Sequence, residues 1–164
     1  MTRYLRLILV ASSVALSFVA SNAIATVTVT FTQPERYADM PFASWDRERV
    51  MKDLRGHFDK LGATLPPGQD LKVEVQDIDL AGRIEPNTRF GHDIRILRGG
   101  ADWPVIQLHY SVEADGKVLK SGDARLSDMN YLNHGTYLNH YSASEPLRYE
   151  KRMLDEWFKT VIKQ

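Results

Sequence analysis

Residues 106–126 read IQLHYSVEADGKVLKSGDARL, and this stretch predicts the β-hairpin around which we expect the fold to be organised. Its two alternating runs flank a central Asp-Gly pair. A two-residue loop at that pair would put the charge of Asp123 on the apolar face of the first run. A three-residue loop with Gly116 as the bulge residue pairs Val112 with Val118 and keeps that face apolar. We therefore predict the three-residue loop. The side chains that it places on the apolar face of the second strand are Val118, Gly122, Ala124 and Leu126.

Three shorter alternations upstream of the hairpin predict further strands. The first spans residues 26–32, where valine and phenylalanine alternate with threonine. The second begins at Leu71, and its apolar phase jumps near Gln76, which requires either a bulge or an inward-pointing Asp77. A short third strand is predicted at residues 94–96. The intervening stretch from 81 to 92 has the composition of a loop.

Two amphipathic stretches predict helices. The first begins at a capping Ser44 and ends at Gly62, for which we expect a left-handed conformation. The second is opened by Pro146. The two apolar stripes consist of Val50, Leu54, Phe58 and Leu61 in the first helix, and of Leu147, Leu154, Trp157, Phe158 and Val161 in the second. Each of the three tryptophans, Trp45, Trp103 and Trp157, is expected to anchor the core.

The order of these elements, strand, helix, two or three strands and helix, predicts an α+β fold. We expect a single mixed, mostly antiparallel sheet of four or five strands packed against two helices, with both helices on one face. If the first two strands are neighbours, a right-handed crossover through the first helix makes them parallel.

The first 25 residues have the three parts of a secretory signal, namely a basic start, an apolar run at 7–20 and a small-residue exit at 23–25. We predict cleavage after Ala25, so that residues 1–25 are a signal peptide and residues 26–164 form one periplasmic α+β domain. The chain has no cysteine, which excludes disulfides and lipidation of a cysteine. After processing we expect no membrane anchor.

The charge balance gives no reason to expect nucleic acid as a partner. Removing Arg3 and Arg6 from the 21 basic residues leaves 19 against 21 acidic residues, because the predicted signal contains no acid. A nearly neutral, slightly acidic domain does not attract a polyanion over long range.

Four stretches of the chain together resemble a bacterial family catalogued as domain of unknown function 3016. They are residues 27–40, 65–82, 121–132 and 147–158. The most specific parts are Asp-Ile-Asp-Leu-Ala-Gly at 77–82 and the segment from Tyr149 to Phe158. The resemblance implies an exported family without an assigned activity, and it carries over no catalytic or ligand-binding residue.

One group of side chains on the predicted hairpin suggests a hydrolase. In the three-residue-loop register His109 faces Ser121 and lies diagonal to Asp123, which places a serine, a histidine and a carboxylate on one surface. Nucleophilic catalysis also requires an oxyanion hole and a buried orienting acid, which a flat sheet face does not supply by itself. A solvated polar face is the alternative.

The tetrapeptide Tyr-Leu-Asn-His occurs twice, at 131–134 and 137–140. His134, His140 and the nearby Asp128 are ligand types that zinc or copper accepts, so they are candidate metal ligands. An offset of six residues is not the i, i+4 spacing that brings two imidazoles together on a helix. The alternative is a surface loop whose tyrosines pack on the sheet edge.

Two acids and two tyrosines are candidates for a ligand or partner surface, namely Asp77, Asp79, Tyr131 and Tyr137. The two acids could hold a cation, have a raised pKa or simply be solvated, and capping or pairing with an arginine such as Arg83 or Arg95 is favoured. The charged residues at 149–152 are expected to tie the last helix to the sheet through ion pairs. No glycine pattern typical of nucleotide binding is present, and no cofactor is predicted.

The sequence favours a non-enzymatic periplasmic binding or accessory domain whose partner is another protein of the cell envelope. The alternative is a small hydrolase or metal-dependent enzyme that uses His109, His134 or His140 with Asp123 or Asp128. These alternatives differ in one structural respect. Catalysis requires the side chains to converge within about 4 Å in one concave pocket, because a base must reach its proton.

Overall fold

The computed structural model describes residues 25–85, 94–133 and 140–163, and these residues have the predicted α+β architecture. The first half contains strand β1 (Val27–Phe31), helix α1 (Ser44–Gly62) and strands β2 (Gln69–Asp79) and β3 (Arg83–Glu85). The second half contains strands β4 (Ile94–Ile96), β5 (Val105–Ala114) and β6 (Lys117–Ser127) and helix α2 (Arg148–Trp157). A π-helical turn, Phe158–Ile162, follows α2.

The main sheet has four strands in the order β1-β2-β5-β6. Strands β1 and β2 are parallel and are joined through α1, as predicted, whereas the other two pairs are antiparallel. The register of β2 shifts between Val75 and Asp77, so the phase change in the sequence is a bulge at Gln76.

The predicted third strand forms, but not in the main sheet. Ile94–Ile96 pairs with Arg83–Glu85 in a separate two-stranded sheet. Residues 83–85 were expected to be loop, because the stretch 81–92 contains the turn-forming residues Gly82, Pro86, Asn87 and Gly91.

The predicted hairpin loop is wrong, although the strand faces are mostly right. Asp115 and Gly116 form a two-residue loop with φ of 51° and 73°, the positive values that a type I′ turn requires. The extra residue is Leu119, which is left unpaired in β6 and shifts the register. Val118 therefore pairs with Glu113 and is exposed, against expectation. Gly122, Ala124 and Leu126 keep their predicted face and lie opposite Tyr110, Leu108 and Ile106.

Both helices cover the same face of the main sheet. Leu54 and Phe58 of α1 and Leu154 and Trp157 of α2 belong to one buried core. The sheet residues of that core are Leu71, Val73, Val75, Ile78, Ile106, Leu108, Tyr110 and Val112. The opposite face carries the alternating polar residues.

Gly62 has a different role from the one predicted. It remains within α1, and its φ is not positive. A Cβ atom added there would lie 2.1 Å from Cγ2 of Val27, so glycine is required because the end of the helix approaches β1 closely. Ser44 is the first helical residue, and Ala43 occupies the cap position. Among the described residues, no helix is long and apolar enough to span a membrane.

Candidate functional site

The structure brings His109 and Asp123 together. They lie directly opposite each other on the open face of the sheet, and Nδ1 of His109 is 2.7 Å from Oδ1 of Asp123. Ser121 pairs with Ser111 instead of with His109, because the bulge at Leu119 moves the register. The side chains of His109 and Asp123 are 45% and 80% exposed, so the pair lies on an open surface.

The candidate metal ligands contact different partners. His134, like the candidate surface residue Tyr137, lies outside the described residues. Oδ2 of Asp128 accepts a hydrogen bond from Arg152 at 2.7 Å. Nε2 of His140 lies 3.4 Å from Oδ2 of Asp155, whose other oxygen is 2.9 Å from Nε2 of His57. Within the ranges that the structure describes, no three His, Asp or Glu side chains are arranged to hold a metal ion.

Asp77 and Asp79 hold the connection after β1 against the end of β2. Oδ1 of Asp77 accepts a hydrogen bond from the backbone N–H of Ala38 at 2.8 Å. Asp79 forms a bridge with Asp39 through the backbone. Burial raises the pKa of Asp79, and the nearby carboxylates of Asp39 and Asp77 raise it further.

Tyr131 is buried in a second, smaller core together with Ala81 and Tyr149. Its hydroxyl donates a hydrogen bond to Oδ1 of Asp102 at 2.9 Å. Burial raises the pKa of Tyr131 to about 12, and the bond to Asp102 contributes.

Arg95 of β4 binds the Asp-Ile-Asp-Leu-Ala-Gly segment. Its Nη1 lies 2.6 Å from Oδ2 of Asp39 and 3.3 to 3.4 Å from the backbone carbonyls of residues 80–82. Gly82 has a φ of 81°, and a Cβ atom added there would lie 2.5 Å from the carbonyl oxygen of Ile96. The segment therefore needs glycine where it closes against β4.

Glu150 ties α2 to the same segment. Its side chain is only 2% exposed, and Oε1 accepts a hydrogen bond from the backbone N–H of Ala81 at 2.8 Å. Burial raises the pKa of Glu150. Lys151 forms an ion pair with Glu145, and Arg152 forms one with Asp128. Arg152 therefore ties the last helix to the end of β6 through an ion pair, as expected, whereas Lys151 pairs with the preceding connection and Glu150 binds a backbone amide.

A groove of about 550 Å³ lies beside this junction, between α1 and the small sheet. One wall is formed by residues of α1 at helical positions i, i+3, i+4 and i+7, which lie on one face of the helix. These residues are Asp46, Arg49, Val50 and Asp53. Ile84 and Ile94, which are both partly exposed, form the opposite wall. Arg95 also contributes to the lining.

Two exposed aromatic side chains lie at the start of α1, close to the groove in sequence. Phe42 lines it and is 98% exposed, and Trp45, three residues further on, is 67% exposed. Nη1 of Arg47 donates hydrogen bonds to the carbonyl oxygens of Pro41 and Phe42, so the backbone that presents Phe42 is held.

The expected core position of Trp45 is wrong. Trp45 lies five residues before Val50, which is about 140° around the helix from the apolar stripe. The helical spacing by itself therefore places Trp45 away from the core-facing side of α1.

The charges along the groove leave one carboxylate without a partner. Oδ1 of Asp46 is 3.3 Å from Nη1 of Arg49, and Arg95 is paired with Asp39. Asp53 makes no hydrogen bond or ion pair with any residue in the described parts of the chain. The groove therefore combines apolar walls with two acidic and two basic side chains, among which the carboxylate of Asp53 has no ion-pair partner in the described residues.

The fold and this groove define a small α+β domain with a sheet covered on one face by two helices and an apolar groove beside the first half of α1. Residues 25–160 match the family described as protein of unknown function (DUF3016), and the chain belongs to that family. Comparisons with curated proteins and with solved structures found no match.

Proposed function

We propose that the mature chain is a non-enzymatic binding domain of the periplasm that acts as an accessory to another protein of the cell envelope. The observation that carries this proposal is the exposed ring of Phe42 in the lining of an apolar groove, with a second exposed aromatic residue, Trp45, three positions further along the chain. The signal-like first 25 residues support export.

Energetics favour a binding role for this surface. Phe42 contributes almost nothing to the core, since it is nearly fully exposed. Burying a phenylalanine side chain against a partner stabilises a complex by roughly 1.5–3 kcal/mol. Aromatic residues that fill or flank a pocket commonly supply much of the binding energy of an interface. Because Arg47 holds the backbone at residues 41 and 42, little backbone conformational entropy is lost when Phe42 binds.

The chemistry of the groove selects one kind of occupant. Its apolar walls, Val50 of α1 and Ile84 and Ile94 opposite, fit an aliphatic or aromatic side chain. The unpartnered carboxylate of Asp53 attracts a cation. The proposed occupant is therefore a polypeptide segment of a partner protein in which an apolar residue is flanked by lysine or arginine.

A small hydrolase is the second candidate, and one contact favours it. The bond between Nδ1 of His109 and Asp123 orients the imidazole in the way that a catalytic histidine needs. Both side chains lie on a flat, solvated face, where an oxyanion would find little stabilisation. The binding function therefore accounts for more of the structure.

Affinity purification from the periplasm with mild crosslinking tests the proposal. Phe42→Ser removes the exposed aromatic ring, and Met129→Ser removes an apolar side chain that is exposed elsewhere. We expect one envelope protein to be recovered with the wild type and with Met129→Ser, and to be lost with Phe42→Ser. Asp53→Asn should reduce its recovery. Equal recovery with all four proteins would overturn the proposed function.

A further inference from the structure

Strand β6 forms one edge of the main sheet. Its only partner strand in the described part of the chain is β5. Its outer row of backbone N–H and C=O groups is therefore open, and such an edge can pair with an added strand. The bulge at Leu119 interrupts the beginning of β6, and beyond it the pairing with β5 is regular up to Ser127. Residues 121–127 therefore offer a regular edge whose middle residue is Ala124.

Two charged side chains, Asp123 and Arg125, lie within this edge segment, and both are exposed on the open face of the sheet. Oδ1 of Asp123 contacts Nδ1 of His109, so its other oxygen can serve a second partner. Arg125 lies close enough to Asp79 to counteract part of the rise in the pKa of that acid. It makes no hydrogen bond or ion pair with any residue that the structure describes. The segment is therefore neutral overall, and its one positive charge lacks a close partner.

A neutral edge with one acid and one base can match a copy of itself. In a two-fold symmetric pair of antiparallel strands, residue i of one copy faces residue j of the other, and j faces i. A pair centred on Ala124 puts Asp123 of each copy opposite Arg125 of the other, so that two ion pairs form on the open face. The two neighbouring registers that keep both helix-covered faces on the same side put Asp123 opposite Asp123, or Arg125 opposite Arg125. The charges therefore select one register.

The helix-covered face fits the same register. Gly122, Ala124 and Leu126 point to that face and are only partly buried. The register places Leu126 of each copy opposite Gly122 of the other, so that a large side chain meets the smallest one. Leu126 also lines a groove of about 410 Å³ between the end of β6 and α2. Pairing would bury apolar surface that one copy leaves partly exposed.

We propose that residues 121–127 of β6 pair with the same residues of a second copy of the chain, antiparallel and centred on Ala124, so that the main sheets of two copies join into one. The charge matching depends on Asp123 and Arg125. Lys120, which lies just outside the segment, binds the carbonyl oxygen of Val161 within its own copy. This surface does not depend on the groove between α1 and the small sheet.

Sedimentation velocity over a wide range of protein concentration measures the association of the protein purified after expression of the full chain. Hydrogen exchange of backbone amides at low and high concentration locates the contact. We expect a monomer–dimer equilibrium, and slower exchange at residues 121–127 as the concentration rises, because the open N–H groups of the edge become paired.

Two charge reversals test the register. Asp123→Arg puts basic side chains opposite each other in both pairs, and Arg125→Asp puts acidic side chains opposite each other. Each variant alone should therefore dimerise about tenfold more weakly or worse. An equimolar mixture of the two should restore association to about the wild-type level, because every pair then joins opposite charges. Lys117→Asp reverses a charge on the same strand outside the segment and should have no effect.

Circular dichroism of each variant checks that it is folded, and the mixture shows a specific contact that a folding defect could not restore. The proposal is overturned if the wild type stays monomeric at every concentration, if the mixture associates no better than its components, or if the slower exchange falls at α1. Slower exchange at residues 121–127 that appears only when periplasmic extract is added would identify another polypeptide as the occupant and would also overturn it.

Discussion

At the scale of single residues, two side chains join neighbouring elements to the segment at 77–82. Arg95 binds the carbonyl groups of residues 80–82, and Glu150 accepts a hydrogen bond from the amide of Ala81. Both contacts use the backbone of the Asp-Ile-Asp-Leu-Ala-Gly segment. The motif therefore marks the place where the small sheet, the main sheet and α2 meet.

Glu150 makes stability depend on pH. Its pKa in the folded protein is raised by burial above the ordinary value of 4.5, so the folded state holds its proton more tightly than the unfolded state. The free energy of unfolding therefore falls as the pH rises from below 4.5 through the folded-state pKa. Glu150→Gln keeps an acceptor for Ala81 and does not ionise. In urea unfolding, we expect the stability of Glu150→Gln relative to that of the wild type to increase as the pH rises.

Removal of the acceptor gives the matching control. Glu150→Ala leaves the buried N–H of Ala81 without its partner and should cost about 1–3 kcal/mol. If Glu150→Gln follows the same pH dependence as the wild type, Glu150 is not the group that titrates.

At the scale of elements, the C-terminal end of α1 packs closely against β1 because Gly62 has no side chain. Gly62→Ala should destabilise the domain by about 1–3 kcal/mol, because the new methyl group overlaps Val27. Gly56→Ala, in the same helix with open space around it, should stabilise by about 0.5–1 kcal/mol. Thermal or urea unfolding of the two variants measures both effects.

A second substitution tests the cause. Val27→Ala removes the atom that lies 2.1 Å from the added methyl group, so the double variant with Gly62→Ala should be more stable than the sum of the two single effects. Additive effects would show that the cost of Gly62→Ala comes from elsewhere.

The elements also show what a sequence can predict. The alternation of β1 and the stripe of α1 are local patterns that gave the right elements, and β1 and β2 pair in parallel, as expected if they were neighbours. The phase change at Gln76 left a bulge and an inward-pointing Asp77 as alternatives, and the structure has the bulge. The position of the bulge at Leu119 was not predictable. An extra residue in the loop and an extra residue in the strand both put the same side chains of the later part of β6 on the apolar face. Register between distant strands depends on packing that the local pattern does not contain.

The candidate site was predicted less well than the fold. His109 and Asp123 share a face that the alternation of the hairpin predicts, and they are in contact. The Arg95 junction and the groove beside α1 join residues from four separate segments, so no spacing in the sequence indicates them. Phe42 was not singled out, because only tertiary structure shows whether an apolar residue in a connection is buried.

At the scale of the whole molecule, the proposed role requires export. Expression of the full chain in a Gram-negative host should yield a periplasmic protein whose N-terminal residue is Thr26, as read by intact mass spectrometry. Replacing Ala23 and Ala25 with bulky residues should leave the precursor uncleaved, since the exit of a secretory signal requires small side chains. An intact protein in the cytoplasm, with Met1 still present, would contradict the assigned signal.

The central claim is that the groove beside α1 receives a partner protein, and site-specific photocrosslinking in living cells tests it most directly. A photoreactive phenylalanine analogue is placed at Phe42 in one strain and at Met129, which is also exposed, in another. The account predicts an adduct with one envelope protein from position 42 that is absent from position 129 and weakened by Asp53→Asn. No adduct at position 42, or the same adducts from both positions, would contradict it.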